Sequence, residues 1–122
     1  MNTPEIITRL EPEEVFVFGS NAAGFHGGGA ARVAYEKFGA VWGEGHGHHG
    51  QSYAIDTMSG LEVIREEVAR FIDYAHSHPG LTFLVTPIGC GIAGHATEDV
   101  APFFDDVPPN VILPVVFTGV LT

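Results

Sequence analysis

The chain holds a single cysteine, Cys90, so no intramolecular disulfide can staple it. Bases are scarce: five Lys and Arg stand against fifteen Asp and Glu, a formal net charge of −10. That balance excludes non-specific nucleic-acid binding, which needs basic patches. No apolar run approaches the roughly 20 residues that cross a bilayer. The first ten residues lack a basic stretch followed by an apolar one, so no signal peptide is expected. A cytoplasmic protein with no membrane partner is the expectation.

What is abundant is glycine, with 16 in 122 residues, alongside 45% hydrophobic and 11% aromatic residues. The length fits one domain with a real core, spanning 1–122. Two glycine-rich turns each follow a run of strand formers. The first is Gly19-Ser-Asn-Ala-Ala-Gly-Phe-His-Gly-Gly-Gly29, after Val15-Phe-Val-Phe18. The second is Gly89-Cys-Gly-Ile-Ala-Gly94, after Leu81-Thr-Phe-Leu-Val-Thr86. A strand that ends in glycines and enters a helix lets bare backbone amides approach an anion. Only Arg9, Arg32, Lys37, Arg65 and Arg70 could help. A phosphate would therefore rest on amides and helix N-termini.

Along the chain, 1–13 reads as a polar surface lead-in. Residues 14–18 read as a buried strand, 29–38 as a helix closed by Gly39, and 40–42 as a short strand. The run Gly43-Glu-Gly-His-Gly-His-His-Gly50 reads as a flexible loop, and 52–56 as a strand. The clearest helix is 60–77, with a stripe from Leu61 to Ala75 and capping-box spacing between Ser59 and Glu62. A strand at 81–86, a short helix at 97–104 and a strand at 111–118, broken by Pro114, complete the order. Such alternation predicts an α/β domain with a mixed, partly parallel sheet and helices on its faces.

Gly89-x-Gly91-x-x-Gly94 has the spacing of the dinucleotide fingerprint, with a strand before it and a helix after. That fingerprint also wants an acid at the end of the next strand. Here Val111-Ile-Leu113 runs into Pro114 with none, which argues against a Rossmann site. In the first turn, the Asn21 amide can hydrogen-bond a ribose hydroxyl, or can close a local Asx-turn.

The segment from Ser20 to Gly39, with Asn21 after a buried strand and then a glycine run and a helix, resembles the hallmark of macro domains. Thr86-Pro-Ile-Gly-Cys-Gly-Ile-Ala-Gly-His95 resembles that family's second loop, and Gln51-Ser-Tyr-Ala-Ile55 the strand between them. The ordered likeness covers about 14–104. The chain is also similar to short macro-like proteins of bacteria and phages. The resemblance implies a compact three-layer α/β/α fold that binds ADP-ribose or a related nucleotide. It places the distal ribose at Asn21, Gly27, Gly28 and Gly29, with Gly19 and Ser20 also in the ligand site. It places the diphosphate at Gly89, Cys90, Gly91, Ile92, Ala93 and Gly94. The partner it implies is an ADP-ribose-type nucleotide or an ADP-ribosylated macromolecule, and no cofactor or metal is called for. An acid that reads the adenine would be Glu11, Glu13 or Glu14. Where one hydrolytic class has Val-Asp after the glycines, this chain has Ala30 and Ala31. Glu66-Glu67, the one paired acid in the long helix, reads as a solvated face.

Removal of ADP-ribose from a target is the enzymatic expectation, as an ADP-ribosyl hydrolase. Asn21 would position the ribose and a water, with His26 or His95 as acid or base. The alternatives are a non-catalytic nucleotide sensor and a metal-binding protein that uses His46, His48 and His49. Cys90 reads as a small residue in a tight loop rather than a nucleophile.

Overall fold

The computed structural model describes all residues, Met1–Thr122. The strands are β1 (Glu14–Ser20), β2 (Gly47–His49), β3 (Ser52–Asp56), β4 (Thr82–Val85) and β5 (Val111–Ile112). The helices are α1 (Gly29–Lys37), α2 (Leu61–His76), α3 (Thr97–Val100) and α4 (Val115–Leu121), with a 3-10 turn at Ala101–Phe104.

The sheet has five strands in the order β2-β3-β1-β4-β5. β1 lies at the centre and pairs in parallel with β3 and β4, β5 continues the parallel set, and β2 runs antiparallel at the edge. β1 is apolar on both faces, as a buried parallel strand must be. Val15 and Val17 join Ile64, Val68, Phe71, Phe104 and Phe117 on one side. Phe16 and Phe18 join Ala31, Ala34 and Phe38 on the other. One layer is therefore α1, and the opposite layer is α2, α3, the 3-10 turn and α4. This is the expected α/β/α sandwich.

The chain leaves β1 for β3 by way of α1. It then doubles back past β1 to β4 by way of α2 on the other face. Reversing both direction and face keeps the two crossovers of one hand. The loops after β1 and β4, adjacent strands, consequently diverge to opposite faces of the sheet. That divergence opens a crevice beyond their carboxyl ends, the place where ligands of open α/β sheets bind.

Four local expectations are corrected. Residues 40–42 form no strand and instead enter a turn at Trp42-Gly43. The histidine run is not a loop throughout: Gly47–His49 pairs with β3. The strand expected at 111–118 stops at Ile112, and Pro114 (φ −70°) caps α4. Proline costs nothing at a helix start, where its missing N–H has no partner to lose. The capping box is absent. Gly60 is the N-cap of α2, the Ser59 hydroxyl donates to Asp56 Oδ2, and Glu62 pairs with Arg65 at 2.7 Å. Gly39 does close α1, with φ +82°.

The lead-in is polar at its surface but anchored. The Thr3 amide donates to the Leu113 carbonyl (2.9 Å) and its hydroxyl to the Ile112 carbonyl (3.0 Å).

Candidate functional site

A cleft of about 300 Å³ lies in the crevice between the loops after β1 and β4. Gly19, Ser20 and Asn21 form one wall, with Gly28 and Gly29 at the start of α1. Gly89, Gly91, Ile92 and Ala93 form the facing wall. The two turns meet at their bases: a methyl group placed on Gly19 would stand 3.7 Å from the Gly89 amide nitrogen. Gly27, Cys90 and Gly94 belong to the turns but do not line the cleft.

Backbone donors are plentiful here. The amides of Gly27, Gly28, Gly89, Gly91, Ile92 and Ala93 donate to no protein acceptor. Three of these glycines, Gly27, Gly28 and Gly91, have no structural reason to be glycine, and Gly28 and Gly91 line the cleft. Gly28 has extended backbone (φ −158°), Gly91 has no positive φ, and a Cβ on either meets nothing within 4 Å. A close-approaching ligand would explain both.

The first loop is braced internally, and Asn21 is one of its braces. Asn21 Nδ2 donates to the Phe25 carbonyl (3.0 Å) and Oδ1 accepts from the Phe25 amide (2.9 Å). The side chain thus closes a local ring and keeps one N–H free at the cleft wall. The same loop presses on the turn at 41–45. A Cβ on Gly45 would fall 2.0 Å from the Asn21 carbonyl oxygen, and one on Gly24 (φ +71°) 2.3 Å from the Glu44 nitrogen.

His26 is part of this joint and not of the cleft, which corrects the expectation that it acts there as acid or base. It is 1% exposed, and its Nε2–H is shared by the carbonyls of Val41 (2.9 Å) and Glu44 (3.2 Å). Its Nδ1 is buried with no partner. His95 is half-buried behind the second loop, with its amide on the Gly89 carbonyl (2.8 Å), and it too is absent from the lining. Of the three residues expected to be catalytic, only Asn21 reaches the cleft. The Cys90 thiol is pushed above its ordinary value by burial and then by Glu98, so it is a poor thiolate.

The histidine run makes no metal site. His46 Nδ1 meets Glu67 Oε1 (2.6 Å), His48 Nδ1 meets the Tyr74 hydroxyl, and His49 Nε2 donates to the His46 carbonyl (3.1 Å). No group of three or more His, Cys, Asp or Glu side chains is placed to hold an ion. Glu67 is not on a solvated face, as expected, but is 8% exposed. Besides His46 it accepts from the Asp56 amide (3.3 Å) and Arg70 (3.3 Å). Asp56 in turn accepts from the Met58 amide (3.0 Å), so Glu67 supports the Thr57-Met58 wall of the cleft.

Thr57, Met58, Thr86, Pro87, Ile88, Phe25, Ala30 and Ala31 also line the cleft and were not expected there as binding residues. Thr57 and Thr86 follow β3 and β4, so the rule that parallel strands present ligands at their carboxyl ends could have found them. No lining residue is ionisable.

A second cavity of about 520 Å³ adjoins the first, and Ala30, Thr86 and Pro87 are walls of both. Ile6, Ile7, Phe16, Val33, Val115 and Val116 make it apolar. Its one ionisable side chain is Glu5. Glu11, Glu13 and Glu14 line neither cavity.

No helix is long and apolar enough to cross a membrane. Comparison with protein-family models, with curated proteins and with solved structures finds no match to this chain.

Proposed function

We propose that this chain is a recognition module for ADP-ribose or a closely related adenine nucleotide, built as a short macro-like domain. The observation that carries the proposal is the convergence of two glycine turns, with unengaged amides, at the sheet's switch point beside an apolar pocket. The adenine enters the apolar pocket, where Glu5 accepts from its exocyclic amine. The diphosphate follows the amides of Gly89 to Ala93. The distal ribose rests at Asn21, Gly28 and Gly29.

The lining favours binding over turnover. Hydrolysis of a glycosidic bond needs a group that gives or takes a proton at the reacting atoms. Neither a carboxylate nor an imidazole lines this cleft. Ala30 and Ala31, at the glycine end of α1, offer no acid.

Thermal shift and calorimetry against ADP-ribose, ADP, AMP and ribose 5-phosphate test the binding. A ligand held only by the native state raises the melting temperature by mass action. ADP-ribose is expected to bind most tightly and ribose 5-phosphate least. Absence of any shift at millimolar nucleotide sinks the proposal. Release of ADP-ribose from a modified acceptor, at a rate above that of the acceptor alone, would overturn the non-catalytic part.

A further inference from the structure

At the margin of the cleft, on the first-loop side, three aromatic rings stand in solvent. Phe25 is 60% exposed, Trp42 49% and Tyr35 46%. They are ordered on one another: Phe25 stacks on Trp42 (5.8 Å between centroids, 21° between planes), and Tyr35 meets Trp42 edge-on at 5.5 Å. His26 fixes the group from beneath, with its ring 6.3 Å from Trp42. A lone exposed aromatic is ordinary, but a preorganised exposed group is not. Phe25 also lines the cleft but not the apolar pocket, so the patch is continuous with the cleft.

We propose that this platform receives a second planar ring carried on the distal sugar, so that the preferred ligand is a dinucleotide rather than ADP-ribose alone. The inference rests on the nucleotide reading of the cleft and extends it. A sugar held by the first loop has its substituent beside Phe25, and rings stack on exposed aromatic faces. Charge selects the kind of ring. No Lys or Arg lies in 19–28 or 41–45, Arg32 beside Tyr35 on α1 is paired with Glu36 at 3.0 Å, and the chain's net charge is −10. An electron-rich aromatic group in that field favours a cationic heterocycle over an anionic partner or a nucleic-acid strand.

Trp42 is the chain's one tryptophan, so its fluorescence reports the platform directly. Oxidised nicotinamide adenine dinucleotide, whose nicotinamide ring is a planar cation, is the probe. ADP-ribose, the same molecule without that ring, is the control. The dinucleotide is expected to bind at least about fivefold tighter by calorimetry and to quench Trp42, while ADP-ribose binds without quenching. Trp42→Leu, outside the cleft lining, is expected to remove the difference between the two ligands and to leave ADP-ribose binding as it was. If that variant fails to fold, the quenching comparison in the parent protein decides alone. Should ADP-ribose bind and the dinucleotide bind no tighter, or leave Trp42 unchanged, the platform proposal falls and the nucleotide cleft stands. Binding of neither overturns both. Quenching by an arginine-bearing peptide but not by the dinucleotide would overturn the proposal and give the platform to a polypeptide.

Discussion

Gly91 and Gly28 show how a residue can be informative by having no duty in the fold. Gly45 and Gly24 are different, because a side chain there would collide with backbone. The contrast separates glycines that the fold does not require from glycines that packing requires. Gly91→Val is expected to change stability by no more than about 0.5 kcal/mol, as surface substitutions do. It should still weaken ADP-ribose binding at least tenfold, because a branched side chain occupies the path to the amides. Parallel urea unfolding and calorimetry check both halves. Equal binding by the variant would mean that the second loop does not wrap the ligand. Residue identity alone makes both turns legible, because glycine, asparagine and strand formers have strong local meanings. It does not say which residues face the cleft. His26 and Asn21 sit five positions apart in one glycine turn, yet the ring of one is sealed inside and the amide of the other reaches the wall. The difference comes from the turn at 41–45, which no local pattern links to 21–26.

At the scale of elements, α2 does more than cover the sheet. Through Glu67 it holds His46, beside the edge strand, and the Asp56 amide at the end of β3. Glu67→Ala strands a buried amide and is expected to cost about 2 kcal/mol. It should also weaken nucleotide binding through the Thr57-Met58 wall. Denaturant unfolding measures the first effect and calorimetry the second. The same helix packs on Tyr53, whose hydroxyl is raised to about 12 from 10.0 by burial, with Glu67 adding to it. The folded chain therefore holds this proton where the unfolded chain has lost it. Tyr53's contribution is whole below pH 10 and disappears as pH rises through about 12. Tyr53→Phe should flatten that alkaline decline in urea midpoints; an unchanged slope would exclude Tyr53 as its source. The central strands and α2 are readable in the sequence because their patterns are long and apolar. β2 is not, because Gly-His-His has no strand propensity and becomes a strand only by pairing with β3. The C-terminal helix is hidden by Val-Val-Phe, strand formers that Pro114 and the burial of Phe117 turn into α4.

For the molecule as a whole, charge and site are opposed. Four of the five bases are paired with acids, and neither cavity is lined by one. A nucleotide, if it is the ligand proposed above, would approach a chain of net charge −10. Raising ionic strength from about 0.01 to 0.15 M shortens the screening length from roughly 30 to 8 Å. Nucleotide association should then quicken, the reverse of what a basic phosphate-binding protein shows. Stopped-flow association at several salt concentrations checks this, and slower association at high salt would contradict it.

The central position of β1 has a kinetic side. Its partners come later in the chain, and the bond from the Thr86 hydroxyl to the Val17 carbonyl joins residues 69 positions apart. Closing so long a loop before any reward is a slow event, so folding should be limited by the arrival of β4. During synthesis one edge of β1 waits unpaired until residues 82–85 have left the ribosome. The same closure brings the two glycine turns together. The cleft is thus among the last things this chain makes, so a ligand held there would lock the finished protein and could not guide the nascent one.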